Sequence, residues 1–258
     1  MKKSSVQMTI LQIFKIHLVV SGLIAICAWL IVEKLLFPYP FAKISGGAHL
    51  LLIIILVDVI CGPVLTLVLF NSKKSKNELV ADFLLIALLQ LSALSYGFYS
   101  AYVARPIAIV FENDRFVVVS DSEIDEFSQI EASNEYKKFK IFERVLVGIR
   151  SPVNSTEENQ NISLSLAGLD PSLRPSWWQP YNLSQDEVMR NMKGFSAFMM
   201  RMPMDQERRV RMEINRYNKN ENELYYLPIV GRDSLDDYVV LLDKDANILG
   251  YIAANGWL

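Results

Sequence analysis

Histidine and cysteine are scarce in this 258-residue chain, with two of each. His17, His49, Cys27 and Cys61 all lie in or beside apolar runs, so the polar remainder has no means to build a disulfide framework, a Cys/His zinc site or a histidine-based catalytic centre. No glycine-rich phosphate loop and no HExxH pattern occurs. Acids such as Asp121, Glu123, Asp125, Glu126, Asp236 and Asp237 are plentiful, and such runs read as a solvated face. Lys and Arg (26) almost balance Asp and Glu (28), giving a net charge of −2, which excludes the basic surface that nucleic acid requires. The expectation is no enzyme, no cofactor, no metal and no nucleic-acid partner.

Long hydrophobic runs, by contrast, are abundant. Residues 16–37, 49–70 and 79–103 are each about 20 residues or slightly more, the length a helix needs to cross a bilayer core of about 30 Å. The first run exceeds the roughly 7–15 apolar residues of a signal peptide and is closed by no Ala-x-Ala site. Bulky Ile26 before Cys27 argues against a lipoprotein. The expected organisation is a three-helix transmembrane anchor over residues 1–103, followed by an extracytoplasmic domain over residues 104–258. Lys2, Lys3 and Lys15 before the first run, and Lys73, Lys74 and Lys76 before the third, outnumber Lys34 and Lys43 in the first connection. Cytoplasmic flanks are lysine-rich, so the N-terminus is expected inside and the C-terminal domain outside.

Asp58 stands within the second run, in VDVICGPVLTLVLF. A carboxyl group there costs a few kcal/mol and needs a partner. Counted along the helices, Gln90 of the third run shares its depth, so an Asp58–Gln90 contact is expected, either for helix packing or also toward a partner's helix. Gly62-Pro63 just beyond should break the local ladder, because proline lacks an N–H. His17 lies closer to the cytoplasmic surface, too far from Asp58 for a direct pair.

The polar half reads as a mixed α+β domain with an antiparallel sheet. Pro106 ends the last helix, and 107–111 and 116–119 flank the turn-like Glu112-Asn113-Asp114-Arg115. Further strands are expected at 145–149, 224–230, 238–243 and 248–253. Residues 121–140 pass from acidic to basic, 154–161 read as a polar loop, and Ser176 to Tyr181 as an ordered aromatic loop. Ser184 with Glu187 forms a capping box for a helix to about Arg201, with a second helix over 205–217. Seven of nine methionines fall within 189–212. Thioethers suit Cu(I), but with no His or Cys nearby they read as flexible apolar filling or an adaptable partner surface.

Taken in order, several short motifs resemble the TfpX/TfpZ type IV pilin accessory proteins. They are Asp58 with Gly62-Pro63-Val64-Leu65-Thr66-Leu67; Asp82 with Leu89-Gln90; Tyr96-Gly97 and Tyr99; Ala104-Arg105-Pro106 and Asp114-Arg115-Phe116. Gly168-Leu169-Asp170, Leu227 to Arg232 and Gly256-Trp257 continue the series. The resemblance implies a bacterial inner-membrane protein with its C-terminal domain in the periplasm, and a cognate type IV pilin as partner, with other pilus assembly proteins as further candidates. It carries over no catalytic residues. The residues marked for intramembrane polar or partner-binding roles are Asp58, Gly62, Pro63, Gln90, Arg105, Asp114 and Arg115. Two other classes compete: a membrane-anchored periplasmic sensor subunit, which would need a cytoplasmic output, and an envelope enzyme, which would need a convergent reactive site.

Overall fold

The computed structural model describes residues 10–47, 53, 55–69, 74–217 and 219–257, with the side chains of Val57 and Asp58 outside that description. The chain divides into two compact units, Met1–Tyr39 with Gly47–Val103, and Pro40–Gly46 with Ala104–Leu258.

In the first unit, α1 (Ile10–Ile31) runs on through a π-helical turn, Val32–Leu36. The next helix, α2 (Phe41–Ile44), belongs to the second unit. A π-helical turn at Val57–Cys61 leads into α3 (Gly62–Leu69), and α4 spans Lys76–Val103. Among the described residues, two helices, Ile10–Leu36 and Lys76–Val103, are long and apolar enough to cross a membrane. The expected three-helix transmembrane anchor is therefore corrected to two candidate spans. The middle run appears as a shorter apolar helix, Val59–Leu69, and the earlier part of 49–70 falls largely outside the described residues. The expected break at Gly62-Pro63 coincides with the change from π to α winding, where the missing proline N–H interrupts the regular ladder.

The second unit is built on an eight-stranded sheet: β1 (Pro106–Glu112), β2 (Arg115–Ser120), β3 (Val145–Ile149), β4 (Trp178–Pro180), β5 (Lys193–Gly194), β6 (Tyr225–Gly231), β7 (Ser234–Leu242) and β8 (Ile248–Ala253). Its order is β4-β3-β1-β2-β6-β7-β8, with β5 pairing β6 outside that path. The sheet is mixed, which corrects the expected antiparallel one: β1 pairs β3, and β2 pairs β6, in parallel. Only the hairpins announce themselves locally. Strands that return after a long crossover pair according to the whole core.

Side chains alternate between the two faces, as strand geometry requires. Ile109, Phe111, Leu227, Ile229, Tyr238 and Val240 form one cluster with Phe41 and Ile44 of α2. Tyr226, Val239, Leu241 and Ile252 face a second cluster under α8 (Phe195–Met199) and α9 (Met204–Ile214). Ala108, Val110 and Val147 join Ala132, Tyr136 and Trp178 in a third.

Three helical readings change. Residues 154–161 are helical rather than a loop: α6 (Ser155–Leu166) follows α5 (Glu126–Glu131), and the Asn154 side chain caps it by accepting from Glu157 N–H. The helix expected from Ser184 to Arg201 is split into α7 (Gln185–Asn191) and α8 by β5, whose pairing with β6 replaces helical bonds. Ser184 does not cap; its hydroxyl accepts from Gln179 Nε2 at 2.9 Å. The methionines divide between core and surface, with Met199 and Met202 in the second cluster and Met200 and Met204 exposed.

Candidate functional site

Polar side chains of the first unit converge from three helices. His17 and Ser21 lie one turn apart on α1, Gly62 and Thr66 one turn apart on α3, and Gln90 faces them from α4. His17 Nδ1 lies 2.5 Å from Thr66 Oγ1, and His17 Nε2 lies 3.0 Å from Gln90 Oε1. The Gln90 amide donates to Ser21 Oγ at a long 3.5 Å, and the Thr66 hydroxyl is 3.1 Å from the Gly62 carbonyl, a second acceptor for its proton. One set of protons satisfies the chain with a neutral imidazole: Thr66 donates to Nδ1, Nε2–H donates to Gln90, and Gln90 donates to Ser21. Such a chain costs no buried charge. Ser21 and Thr66 are fully shielded while His17 and Gln90 are partly open.

Gly62 makes the convergence possible. A Cβ at this position would overlap the Gln90 amide, the movable end of a flexible side chain, so a larger residue would push that amide away from the α3 backbone. Beside the cluster, an apolar cleft of about 230 Å³ is lined by Val20, Ile24, Leu91 and Leu94 around His17, Ser21 and Gln90. The arrangement can take up an apolar helix face and offer it hydrogen-bonding groups. At the start of α4, Lys74 Nζ pairs with Asp82 at 2.6 Å and donates to the Leu69 carbonyl at 3.1 Å.

The marked residues thus separate. Gly62 and Gln90 meet, with buried Pro63 next in the chain, whereas the side chain of Asp58, and with it the expected Asp58–Gln90 contact, lies outside the described residues. Arg105 belongs to the second unit, where its guanidinium is 2% exposed and bonds Asp121 at 2.8 Å, while Asp121 N–H donates to the Arg105 carbonyl. Asp114 and Arg115 sit at the β1–β2 turn, where Asn113 adopts φ 57, and Arg115 stacks over the Trp257 ring at 4.9 Å. His17, Ser21 and Thr66 were missed by matching depths alone. The readable signal was the polar pair His17 and Ser21 at i, i+4 on one apolar helix, which places both on one face, with Thr66 one turn beyond Gly62 on another.

A second polar group lies in the α+β unit. Arg150 and Arg174 stand over the Trp177 ring at 4.6 and 4.8 Å, and Arg150 grips Glu157 of α6 at 2.6 and 3.1 Å. The Arg150 guanidinium and the Val153 N–H hold the Glu157 carboxyl down at about 2. Nearby, burial pushes the Glu112 carboxyl above its usual range. Among the described residues, no group of three or more His, Cys, Asp or Glu is arranged to hold a metal ion.

Known proteins show what kind of chain this is. The fimbrial assembly protein of serogroup I from Dichelobacter nodosus is 33% identical over 239 residues, covering 92% of each chain. Its serogroup E1 counterpart is 32% identical over the same length and share. The protein of serogroups C1 and C2 is 40% identical over 120 residues, 46% of this chain and 92% of its own. No family model and no solved structure matches. With two relatives above 30% identity along almost their whole length, the chain belongs to the fimbrial assembly protein family.

Proposed function

We propose that this chain is a non-catalytic, chaperone-like accessory protein of the TfpX/TfpZ kind, which stabilises a cognate type IV pilin or promotes its assembly. The observation that carries this reading is the apolar cleft around His17, Ser21 and Gln90 in a unit whose two long helices can cross a membrane. An unassembled subunit with a hydrophobic helix in the bilayer and a folded head outside it needs both parts held. A chain carrying a lipid-phase cleft and a folded α+β unit offers a contact to each, and two linked weak contacts reinforce one another through effective concentration. The same reading puts the protein in the bacterial inner membrane. It also places the α+β unit, Pro40–Gly46 with Ala104–Leu258, in the periplasm.

Deleting the gene should lower the cognate pilin and its surface fimbriae while unrelated pilins are spared; normal cognate piliation would overturn the assignment. Filling the cleft with Leu94→Trp should abolish co-purification of the pilin at unchanged abundance of the variant, and retained co-purification would move the contact elsewhere. A reporter fused after Leu258 should be active in the periplasm; cytoplasmic activity would reverse the orientation.

A further inference from the structure

Two short helices of the α+β unit, α5 and α6, line one cleft of about 400 Å³ together with Trp177. Neither helix owes its place to apolar burial: α6 buries no residue, and α5 buries only Ser128. Polar bonds hold them instead. Asp125 caps α5 by accepting from Ser128 N–H at 2.9 Å, and the Ser128 hydroxyl bonds the Ser176 hydroxyl at 2.7 Å and accepts from the Ser176 N–H at 3.0 Å. The Arg150–Glu157 grip fastens α6, and Arg174 donates to its Asn161 side chain. Both guanidiniums stand over the ring of Trp177, which is 6% exposed. The cleft is thus set in place before any partner arrives, which lowers the cost of filling it.

The rim is apolar and acidic. Phe127 of α5 and Leu164 of α6 line the cleft and are exposed, Phe127 at 80%, and Ile130, one turn beyond Phe127, is exposed as well. Aromatic and arginine side chains around a concave site are the composition of a protein-binding hot spot. Residues 121–136 carry six Asp and Glu, and residues 151–173 carry three, with no Lys or Arg in either stretch. Glu157 neutralises Arg150, and Arg174 is 3% exposed, so the charge an incoming surface meets is that of the exposed Glu126, Glu131 and Glu158.

We infer that the α5–α6 cleft is where the α+β unit grips the folded head of the pilin, through a segment of the head that carries an apolar side chain flanked by lysine or arginine. The apolar group enters beside Phe127 and Leu164, and the flanking cations meet Glu126, Glu131 and Glu158. The inference rests on the pilin reading above. Its occupant follows from charge: a second copy docked about a twofold axis would set this acidic rim against itself, and anionic headgroups would meet the same repulsion. A basic, apolar segment of a different protein satisfies both the rim and the cleft.

The test titrates the full chain in mild detergent with its cognate pilin and reads Kd and association rate over a range of salt. Native binding should weaken as salt rises. Phe127→Ala removes a side chain that stands in water, so it spares the fold, and it should weaken binding about tenfold or more. Glu131→Lys should slow association and flatten its salt dependence. Leu166→Ala, at a residue 86% exposed but outside the cleft lining, should change neither. Native affinity in both Phe127→Ala and Glu131→Lys would overturn this surface and leave the pilin assignment standing. Salt-independent native binding, or a loss in Leu166→Ala equal to that in Phe127→Ala, would overturn it as well. A dimer of the chain alone that Phe127→Ala dissolves would overturn it in favour of a second copy. No pilin binding by the native chain would overturn the accessory reading itself.

Discussion

The two units are patterned in opposite senses. In the first, the shielded polar groups Ser21 and Thr66 lie between helices, while Val68, Leu84, Leu88 and Tyr96 are more than 60% exposed. In the second, Phe111, Phe116, Leu227, Val239 and Leu241 are at most 1% exposed, and the polar residues lie mainly outside them. A helix that is apolar outward and hydrogen-bonded inward suits a surrounding that offers no hydrogen bonds. A sheet that is apolar inward suits water. The difference teaches that the same question, where the polar groups go, has one answer per solvent, and the perturbations below probe each answer in turn.

The largest effect should come from α2. Phe41→Ala removes a ring from the first sheet cluster and should cost about 3–5 kcal/mol, and Ile44→Asp should cost more by burying a charge. Protease resistance of residues 104–258 in the full chain is the readout. Unchanged resistance in both variants would detach residues 40–46 from that core. Gly46 adds a steric lock, with φ 78 and the Asp233 carboxylate 2.6 Å from where a Cβ would stand, while Asp233 N–H donates to the Ile44 carbonyl.

Next comes the polar cluster of the first unit. Gly62→Val should lower helix packing stability by about 1–3 kcal/mol through overlap with the Gln90 amide, and Gln90→Ala in the same chain should restore part of it. Thermal unfolding in detergent measures both, and a double variant no better than Gly62→Val alone would reject the steric account. Thr66→Val keeps the shape and deletes only the hydroxyl beside His17, so its cost should be about 0.6 kcal/mol, and no more than about 1.7.

The smallest effect is pH-dependent and belongs to the second unit. Because the Glu157 carboxyl is held at about 2, below its ordinary 4.5, its ion pair with Arg150 is fully present above about 4.5 and is lost as pH falls toward 2. Amide protection over Ser155–Leu166, measured as exchange relative to the intrinsic rate at each pH, should fall in that window for the native chain, and Glu157→Gln should remove the dependence. An identical pH response in the variant would place the acid sensitivity in another group.

Local chemistry made several elements legible. Asn113-Asp114 between two β-branched runs gave the hairpin, and 145–149 and 248–253 match β3 and β8 in full. Signals that depend on distant partners were not legible. Nothing near Val145 reports that it lies beside Ala108, and nothing near Phe41 reports that its ring meets Tyr251 at 5.3 Å. Ser184-x-x-Glu187 looked like a cap, yet its hydroxyl was taken by Gln179 from an adjoining strand. At the candidate site, Gly62 and Gln90 could be marked from their positions in apolar runs. His17 was set aside because depth was counted from helix ends, and side chains bridge such differences.

The placement of Phe41 and Ile44 has a consequence for how the protein matures. These residues are synthesised long before the strands that cover them, β6 to β8. Contacts so distant along the chain form slowly, because a long loop must close first. During that interval an aromatic and an isoleucine side chain stay uncovered, open to chaperones and proteases. The α+β unit can close only after residues 40–46 and strands β6 to β8 have met in one compartment, so its completed fold certifies that both segments have been delivered to the same side.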